Sequence, residues 1–428
     1  MIRIMKYGET PVSEIFSRKV NDMDVSGTVA EVLQAVQNEG DAALYRYTEK
    51  FDKVQLTQLR VSEQEIEEAF AAVEPEFVEV LKKSADNIRK FHSRQVRSNF
   101  VITGEDGVVM GQKITPVDCA GLYVPGGTAA YPSTVLMDAI PAKLAGVPNL
   151  VMVTPPGKDG KVNPAILAAA KVAGVDNIYK VGGAQAIAAL AYGTESIPKA
   201  DKIVGPGNAF VAEAKRQVFG RVSIDIIAGP SEILVVADGK SNPRWVAADL
   251  LSQAEHDRLS SAVLVTESED LAYAVQSEIE ALLLEMSREE IARASIENNG
   301  KIIVADSIGN AIEIANEIAP EHIELCVDNP FDYLNEIRHA GSIFLGRYCP
   351  EPLGDYYAGP NHTLPTGGTA KFSSPLSVDD FIKKSQFTYY TADALTKVAD
   401  DVAMFARKEG LTGHARSMTI RKEEPEQR

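Results

Sequence analysis

The sequence predicts an α/β fold with two doubly wound parallel-sheet domains and small N- and C-terminal extensions. Two observations support this prediction. From about residue 123, short apolar runs alternate with Ala-rich helical stretches, and a second alternation of the same kind begins at about residue 233. Such alternation is typical of parallel sheets, because two parallel neighbours need a crossover connection, which is usually a helix.

The region before residue 123 is expected to be mainly helical. Val29, Val32 and Val36 recur at helical spacing within residues 15–100. Residues 101–122 read instead as extended segments with turns.

Residues 123–231 carry the first alternation. Its strand candidates are Leu150–Val153, Ile178–Val181 and Ile203-Val204. Asn163-Pro164 can open the helix between the first two strands, and Gly174 can end it. This order of elements predicts an incomplete Rossmann-like sheet.

The second alternation predicts another sheet of the same type. Its strand candidates are Ile233–Val236, Ala262–Thr266, Ile302–Val304, Ile323–Val327 and Ser342–Leu345. Residues 350–378 are rich in Gly, Pro, Ser and Thr and are expected to form a long loop, which is usually functional in a compact protein. Residues 379–420 are expected to be helical.

Composition excludes several classes of protein. The chain has 428 residues, with 43 Lys and Arg against 60 Asp and Glu and a formal net charge of −17. Nucleic-acid binding needs a basic face, so this balance argues against it. We find neither a signal-peptide core nor a transmembrane run. Cys119, Cys326 and Cys349 do not make a disulfide framework, so a cytoplasmic protein is expected.

Glycine marks the places where a ligand could approach the backbone. Gly126-Gly127, Gly182-Gly183, Gly205-Pro206-Gly207 and Gly229-Pro230 follow strand candidates, and ligands of open α/β sheets bind beyond the carboxyl ends of strands. These loops fit a phosphate-bearing cofactor, but they also fit plain strand-to-helix turns. Phe210 stands where a G-x-G-x-x-G fingerprint would need its third glycine.

Two pairs of residues could carry chemistry. Gln253 and His256 are three apart, which on a helix puts both on one face, where they could hold a metal or simply face solvent. Glu321 and His322 are adjacent before a strand. They could form a general-base pair if both lie in the loop, or be a surface Glu beside a hydrogen-bonded His.

Four further residues could be ligands or substrate contacts. Asp355 and His362 lie in the Gly-rich loop, and both residue types also form turns. Glu409 and His414 lie near the C-terminus, so only tertiary or quaternary packing can bring them to the other candidates. Cys119 could in principle be a nucleophile, but no His lies near it in sequence, which favours an inert buried thiol.

Several long motifs extend over nearly the whole chain. They include Ala120-Gly-Leu-Tyr-Val-Pro-Gly-Gly127, Lys202-Ile-Val-Gly-Pro-Gly-Asn208, Leu250-Leu-Ser-Gln-Ala-Glu-His256, Pro320-Glu-His322, Gly354-Asp-Tyr356 and Leu411-Thr-Gly-His414. In sequence and in order, these motifs resemble those of one known family, the histidinol dehydrogenases. The resemblance implies a zinc- and NAD-dependent enzyme that oxidises L-histidinol through L-histidinal to L-histidine with two NAD⁺. Gly413 stands where the family is expected to have a residue such as Ala.

The resemblance also implies roles for particular residues. The catalytic pair would be Glu321 and His322. One Zn²⁺ per subunit would be bound by Gln253, His256, Asp355 and His414. NAD would contact Tyr123, Gln185 and Asn208. The substrate would contact Ser231, Gln253, His256, His322, Asp355, Glu409 and His414.

The resemblance further implies a homodimer, in which Glu409 and His414 complete the partner's site. The predicted domains are an N-terminal extension (1–14), a discontinuous first α/β domain (15–122 plus 232–376), a second α/β domain with the NAD-binding loops (123–231) and a C-terminal helical extension (377–428).

Four other functions are compatible with parts of this sequence. They are a cysteine-dependent aldehyde dehydrogenase that uses Cys119, a metal-dependent hydrolase, a non-catalytic binding protein, and a relative that acts on another amino or sulfo alcohol. The presence of Glu321, His322 and the four expected ligands argues against the non-catalytic protein. Glu409 suits a cationic imidazole or amine and favours histidinol.

Overall fold

The computed structural model describes residues 1–18, 24–126 and 130–423. Its strands are β1 (Arg3–Lys6), β2 (Phe100–Thr103), β3 (Val109–Pro116), β4 (Cys119–Tyr123), β5 (Asn149–Thr154), β6 (Asn177–Lys180), β7 (Lys202–Val204), β8 (Ser223–Ile224), β9 (Glu232–Ala237), β10 (Ser261–Thr266), β11 (Lys301–Val304), β12 (His322–Cys326), β13 (Ser342–Leu345) and β14 (Ile382–Tyr389).

The helices alternate with these strands along most of the chain. They are α1 (Val12–Ile15), α2 (Ser26–Glu39), α3 (Asp41–Asp52), α4 (Glu63–Ala72), α5 (Pro75–His92), α6 (Pro132–Leu144), α7 (Pro164–Ala173), α8 (Gly183–Tyr192), α9 (Ala209–Val218), α10 (Pro243–Ala254), α11 (Glu269–Leu283), α12 (Glu289–Asn299), α13 (Ile308–Ile318), α14 (Pro352–Tyr356), α15 (Ala392–Lys408) and α16 (Thr412–Glu423).

Two parallel sheets confirm the predicted fold class. Sheet A has the strand order β1-β11-β10-β9-β12-β13, and sheet B has the order β6-β5-β4-β7-β8. When the edge strand β1 is left out, the two sheets have the same topology. The strand that comes first in sequence, β9 in sheet A and β4 in sheet B, lies in the middle of its sheet. The next two strands extend the sheet to one side, and the chain then crosses to the other side with β12 or β7. That reversal is the topological switch point of a doubly wound sheet.

Sheet A is covered on both faces, as a parallel sheet requires. Ile233 and Val235 of β9 point into one apolar cluster, whereas Leu234 and Val236 point into the other. The near-continuous apolar runs of the sequence follow from this two-sided burial.

Helix α7 begins and ends where the sequence predicts. The Asn163 side chain accepts a hydrogen bond from the Ala165 N–H, Pro164 occupies the first turn, and Gly174 ends the helix in the left-handed region at φ 74°. These are the usual cap residues of an α-helix.

The described chain divides into two compact units. The first comprises Met1–Gln95 and Asp118–Phe381 and contains both parallel sheets. The second comprises Val96–Val117 and the segment from Ile382 onward. It contains α15, α16 and the antiparallel sheet C, with strand order β14-β3-β2.

The structure differs from the sequence analysis in three places. Strand β1 was not predicted, and it extends sheet A beside β11. Residues 379–420 were expected to be helical, but β14 forms first and pairs with β3. Helix α2 contributes Val29 and Leu33 to the core on sheet B, although residues 15–122 were grouped with the other sheet.

None of the helices in the described ranges combines the length and the apolar character needed to cross a membrane.

Candidate functional site

Glu321 and His322 lie at the amino end of β12. His322 is the first residue of that strand and aligns with Ile233 of β9 and Ser342 of β13. Both side chains are buried, with exposed fractions of 7% for Glu321 and 3% for His322. Glu321 thus lies in the loop before the strand, as a general-base pair would require, whereas His322 already belongs to the strand.

One peptide segment holds both members of the pair. The backbone N–H of Glu232 donates to Oε2 of Glu321 at 2.9 Å, and its backbone carbonyl lies 2.9 Å from Nδ1 of His322. A carbonyl oxygen can only accept, so Nδ1 carries a hydrogen and Nε2 of the neutral ring keeps its lone pair. Burial lowers the pKa of His322, which favours that neutral form.

The free nitrogen of His322 faces two carboxyl groups. Its Nε2 lies 3.7 Å from Oε1 of Glu351 and 3.9 Å from Oδ1 of Asp355. Within the described part of the chain, neither this Nε2 nor Oε1 of Glu351 has a hydrogen-bond partner. Glu351 was missed by the sequence analysis. Its only signal was that it precedes Pro352, which opens the short helix α14 that places Asp355.

Gln253 and His256 do not share a helical face as predicted. Helix α10 ends at Ala254, and His256 lies in the following turn, where its N–H donates to the carbonyl of Gln253 at 3.2 Å. Gln253 is 1% exposed, so it does not lie on a solvated face. Burial lowers the pKa of His256, while the negative charge of nearby Glu351 opposes that shift.

Asp355, one of the expected zinc ligands, lies in a cluster of donor atoms that fits a divalent metal ion. The ligand atoms of His322, Glu351 and Asp355 all lie within 4.8 Å of one another. Burial, and then the charge of Glu351, raise the pKa of Asp355 well above its usual range. Carboxylates and imidazoles crowded together in a buried place are the usual environment of a bound cation, which would offset their mutual repulsion.

His362 closes another side of this cluster. Its Nδ1 lies 3.2 Å from the backbone carbonyl of Asp355, and its Nε2 lies 3.3 Å from the hydroxyl of Thr134. Burial lowers the pKa of His362 to about 4, so the ring is neutral near pH 7.

The three remaining residues expected to contact the substrate or zinc are Ser231, Glu409 and His414. Ser231 lies directly before β9, and its carbonyl accepts from the N–H of Ser261 at 3.0 Å. Glu409 follows α15 and His414 lies in the first turn of α16. Both belong to the second unit and are exposed, whereas Gln253, His256 and Asp355 belong to the first.

The expected NAD contacts lie at the carboxyl edge of sheet B. Tyr123 ends β4, and its hydroxyl accepts from the N–H of Gly183 at 3.1 Å. Gln185 lies in the first turn of α8 and is 2% exposed. Asn208 caps α9 by accepting from the N–H groups of two residues in its first turn.

The glycine loops at this edge pack closely together. A Cβ atom on Gly126 or on Gly182 would lie 2.6 Å from the ring of Pro155. Gly229-Pro230, by contrast, precedes β9 and lies at the amino end of sheet A. The expected NAD contacts therefore lie at the carboxyl edge of sheet B, whereas Glu321 and His322 lie at the amino edge of sheet A.

Cys119 is a poor nucleophile. It is 7% exposed, and burial raises the pKa of its thiol to about 11. Only the thiolate is strongly nucleophilic, so the structure disfavours a cysteine-dependent mechanism.

Comparisons with known proteins identify the family of the chain. The family model described as histidinol dehydrogenase matches residues 16–422. The histidinol dehydrogenase of Clostridium acetobutylicum is 55% identical over 426 residues, which cover 98% of this chain and 99% of that protein. The chain belongs to the histidinol dehydrogenase family.

Other members of the family are similar in sequence and structure. The histidinol dehydrogenase of Geobacillus kaustophilus is 54% identical over 398 residues, covering 93% of this chain and 94% of that protein. The crystal structure of histidinol dehydrogenase from Elizabethkingia anophelis has a TM-score of 0.94 and 42% identity, covering 99% of this chain and 98% of that one. The family consists of oxidoreductases, and the chain is one of them.

Proposed function

We propose that the chain oxidises L-histidinol through L-histidinal to L-histidine with two NAD⁺, the final steps of L-histidine biosynthesis. The observation that carries this proposal is the buried pair Glu321 and His322, held on the backbone of Glu232 in a chain of this family. The neighbouring carboxylates and imidazole supply the polar surroundings that a charged amino alcohol needs.

Gln253, His256, Asp355 and His414 would hold one zinc ion per subunit. A bound zinc ion would orient the substrate through its amine and imidazole, both of which are good zinc donors. The buried Gln253 and the crowded Asp355 support this role.

The proposed enzyme is a cytoplasmic homodimer. His414 and Glu409 come from the second subunit and complete the site, and Glu409 and Ser231 contact the substrate. Exposure of both C-terminal residues in the single chain is compatible with that role. The cysteines Cys119, Cys326 and Cys349 are all unpaired, which fits a reducing compartment.

In the first oxidation His322 acts as the general base. Its Nε2 accepts the proton of the substrate hydroxyl while hydride leaves the carbinol carbon. Its Nδ1–H stays on the carbonyl of Glu232, which keeps the ring oriented and stabilises the imidazolium that forms. Bound NAD⁺ would accept the hydride in each oxidation, with Tyr123, Gln185 and Asn208 as its contacts.

The second oxidation needs water. The Glu321 carboxylate takes a proton from a water molecule as the water oxygen adds to the aldehyde carbon. The His322 imidazolium left by the first oxidation gives its proton to the carbonyl oxygen, which yields the hydrate and returns His322 to its neutral form. His322 then accepts one hydroxyl proton of that hydrate while hydride leaves the same carbon, which gives the carboxylic acid. The acid loses its remaining proton to solvent and becomes the carboxylate. Burial raises the pKa of Glu321 well above its usual range, which makes its carboxylate a stronger base than that of an exposed Glu.

The test measures how many molecules of NADH are formed for each molecule of histidine. Purified protein is mixed with L-histidinol, NAD⁺ and Zn²⁺, and NADH and histidine are counted together. We expect two NADH per histidine, and loss of turnover after chelation that added zinc restores. Accumulation of histidinal with one NADH per substrate, or no NADH from a zinc-loaded protein, would contradict the proposal.

A further inference from the structure

A buried charged cluster lies beneath the loop formed by residues 205–208. Its members are Lys215 on α9, Asp225 just after β8 and Asp138 on α6. The side chains of Lys215 and Asp225 are each 2% exposed, and Asp138 is 0% exposed. Charged side chains are seldom buried so completely, and none of these three takes part in the chemistry proposed above.

Lys215 and Asp225 form hydrogen bonds with the peptide groups on both sides of Gly205. The Gly205 N–H donates to Oδ2 of Asp225 at 2.8 Å, and the Gly205 carbonyl accepts from Nζ of Lys215 at 3.0 Å. The two side chains also form an ion pair with each other. Hydrogen bonds to buried charged groups are stronger than neutral ones, so this contact fixes the loop firmly.

The loop needs such a restraint because its backbone is unusual. Gly205 has φ +113°, and a Cβ atom at this position would lie 2.1 Å from the carbonyl oxygen of Tyr123. The loop therefore packs closely against the end of β4, at the topological switch point of sheet B. Asn208 follows three residues later as the cap of α9.

Asp138 completes the cluster, and its surroundings favour the neutral acid. The ideal Cβ position of Gly205 lies 3.0 Å from its Oδ2, which has no hydrogen-bond partner among the described residues. Burial, and then the charge of Asp225, raise the pKa of Asp138 well above its usual range. The cluster then holds one cation and one anion, and the hydroxyl of Thr363 lies 3.4 Å from the other Asp138 oxygen.

We propose that the Lys215–Asp225 ion pair is a positioning device for the nucleotide: it fixes Gly205 so that Asn208 and the end of β4 are set to receive NAD. This inference rests on the proposed function, because it takes NAD as the ligand of that loop. Lys215 and Asp225 act through the backbone and do not touch the nucleotide themselves.

The experiment compares the effect of each substitution on nucleotide affinity with its effect on zinc content and on the KM for histidinol. Lys215→Met removes the donor to the Gly205 carbonyl, and the double variant Lys215→Met/Asp225→Asn removes both charges together, so that no unpaired charge stays buried. We expect the NADH dissociation constant and the KM for NAD⁺ to rise by about tenfold to a hundredfold in both, since small misplacements have effects of that size. Zinc content and the KM for histidinol should stay within about twofold.

Lys301→Met is the matched control. Lys301 is a buried lysine of sheet A, 5% exposed, which donates to the carbonyl of Ile15 at 3.0 Å and lies outside sheet B. Its loss should leave NADH affinity unchanged. Asp138→Asn should also keep NADH affinity within about twofold, because an amide resembles the neutral acid; a tenfold loss would refute a neutral Asp138.

The outcomes separate the two proposals. Unchanged NADH affinity in a folded double variant overturns the positioning role. An equal fall in nucleotide affinity, histidinol affinity and zinc content also overturns it, because it indicates general destabilisation. A wild-type protein that binds no NADH refutes the proposed function instead.

Discussion

Nδ1 of His322 lies 2.9 Å from the backbone carbonyl of Glu232, and this one contact decides which nitrogen of the ring is free to take a proton. The N–H of the same residue binds Glu321. The start of β9 therefore orients both groups at once. Glu232 is fixed in turn by Arg18, whose Nε lies 3.1 Å from the Glu232 carboxylate.

Glu321→Gln should separate the two oxidations. The amide cannot take a proton from water, so we expect oxidation of histidinal to fall by about 10²–10⁴, the usual contribution of a positioned general base. Oxidation of histidinol should fall much less. His322→Asn, used as the comparison, should depress both. NADH formation from each substrate in single turnovers measures the effect, and equal losses in Glu321→Gln would remove its assigned role.

Metal content should depend on the proposed ligands. His256→Asn and Asp355→Asn should each lower zinc content, measured by elemental analysis after desalting, by about tenfold or more in occupancy-limiting buffer. His339→Asn is the control, since His339 lies outside this cluster and should leave zinc content unchanged. Full occupancy in either ligand variant would contradict the assignment.

A site shared between subunits should allow complementation. When inactive His322→Asn and His414→Asn dimers exchange subunits, half of the dimers become hybrids, and each hybrid has one intact site. We expect recovery of about a quarter of the wild-type activity. Either variant mixed with itself should stay inactive. If exchange is proved by mass spectrometry and no activity returns, His414 does not serve the second subunit.

Cys119→Ser should keep the dehydrogenase activity. Burial raises the pKa of the Cys119 thiol to about 11, so the thiolate is scarce at pH 8. Peptide mapping after iodoacetamide treatment at pH 8 should therefore find Cys119 largely unmodified in the folded protein and modified after denaturation. Loss of turnover in Cys119→Ser with zinc retained would restore the cysteine mechanism.

Asp52 should make stability depend on pH. Burial raises its pKa from 3.8 to about 6, so the folded state binds the proton more tightly than the unfolded state does. Stability from this group falls as pH rises from about 4 to about 6. Asp52→Asn should raise the free energy of unfolding by on the order of 1 kcal/mol at pH 7.5, after allowance for partial exposure.

The increase in the free energy of unfolding caused by Asp52→Asn should be smaller at pH 4.5, where Asp52 is largely protonated in the folded state. Denaturant titrations at both pH values measure the difference. Glu31→Gln, a change at an exposed carboxylate of α2, is the control and should have little effect at either pH. A stabilisation by Asp52→Asn that is equal at both pH values would rule out burial of the charge as its cause.

The sequence predicted much of the first unit because its signals are local. Apolar runs bounded by glycine and proline placed eight strands of the two parallel sheets within about two residues, but β1, β4 and β8 were not among the candidates. Asn163, Pro164 and Gly174 marked one helix at both ends.

Other features depend on contacts between distant residues and have no local signal. The pairing of β14 with β3 joins segments some 270 positions apart, for example Ile382 with Pro116. The role of Glu232 lies in its backbone, which every residue shares. Glu351 became noticeable only when α14 brought it near His322. The turn at His256 overrode a helical spacing that looked regular in sequence.

The first unit should be sensitive to removal of strand β1. Arg3–Lys6 covers the otherwise open side of β11, pairing residue by residue from Lys301 to Val304. Deleting the first seven residues would bare a row of unsatisfied amide and carbonyl groups on a flat apolar strand, which is a template for self-association. Such a truncated protein should precipitate on concentration even if each remaining element folds.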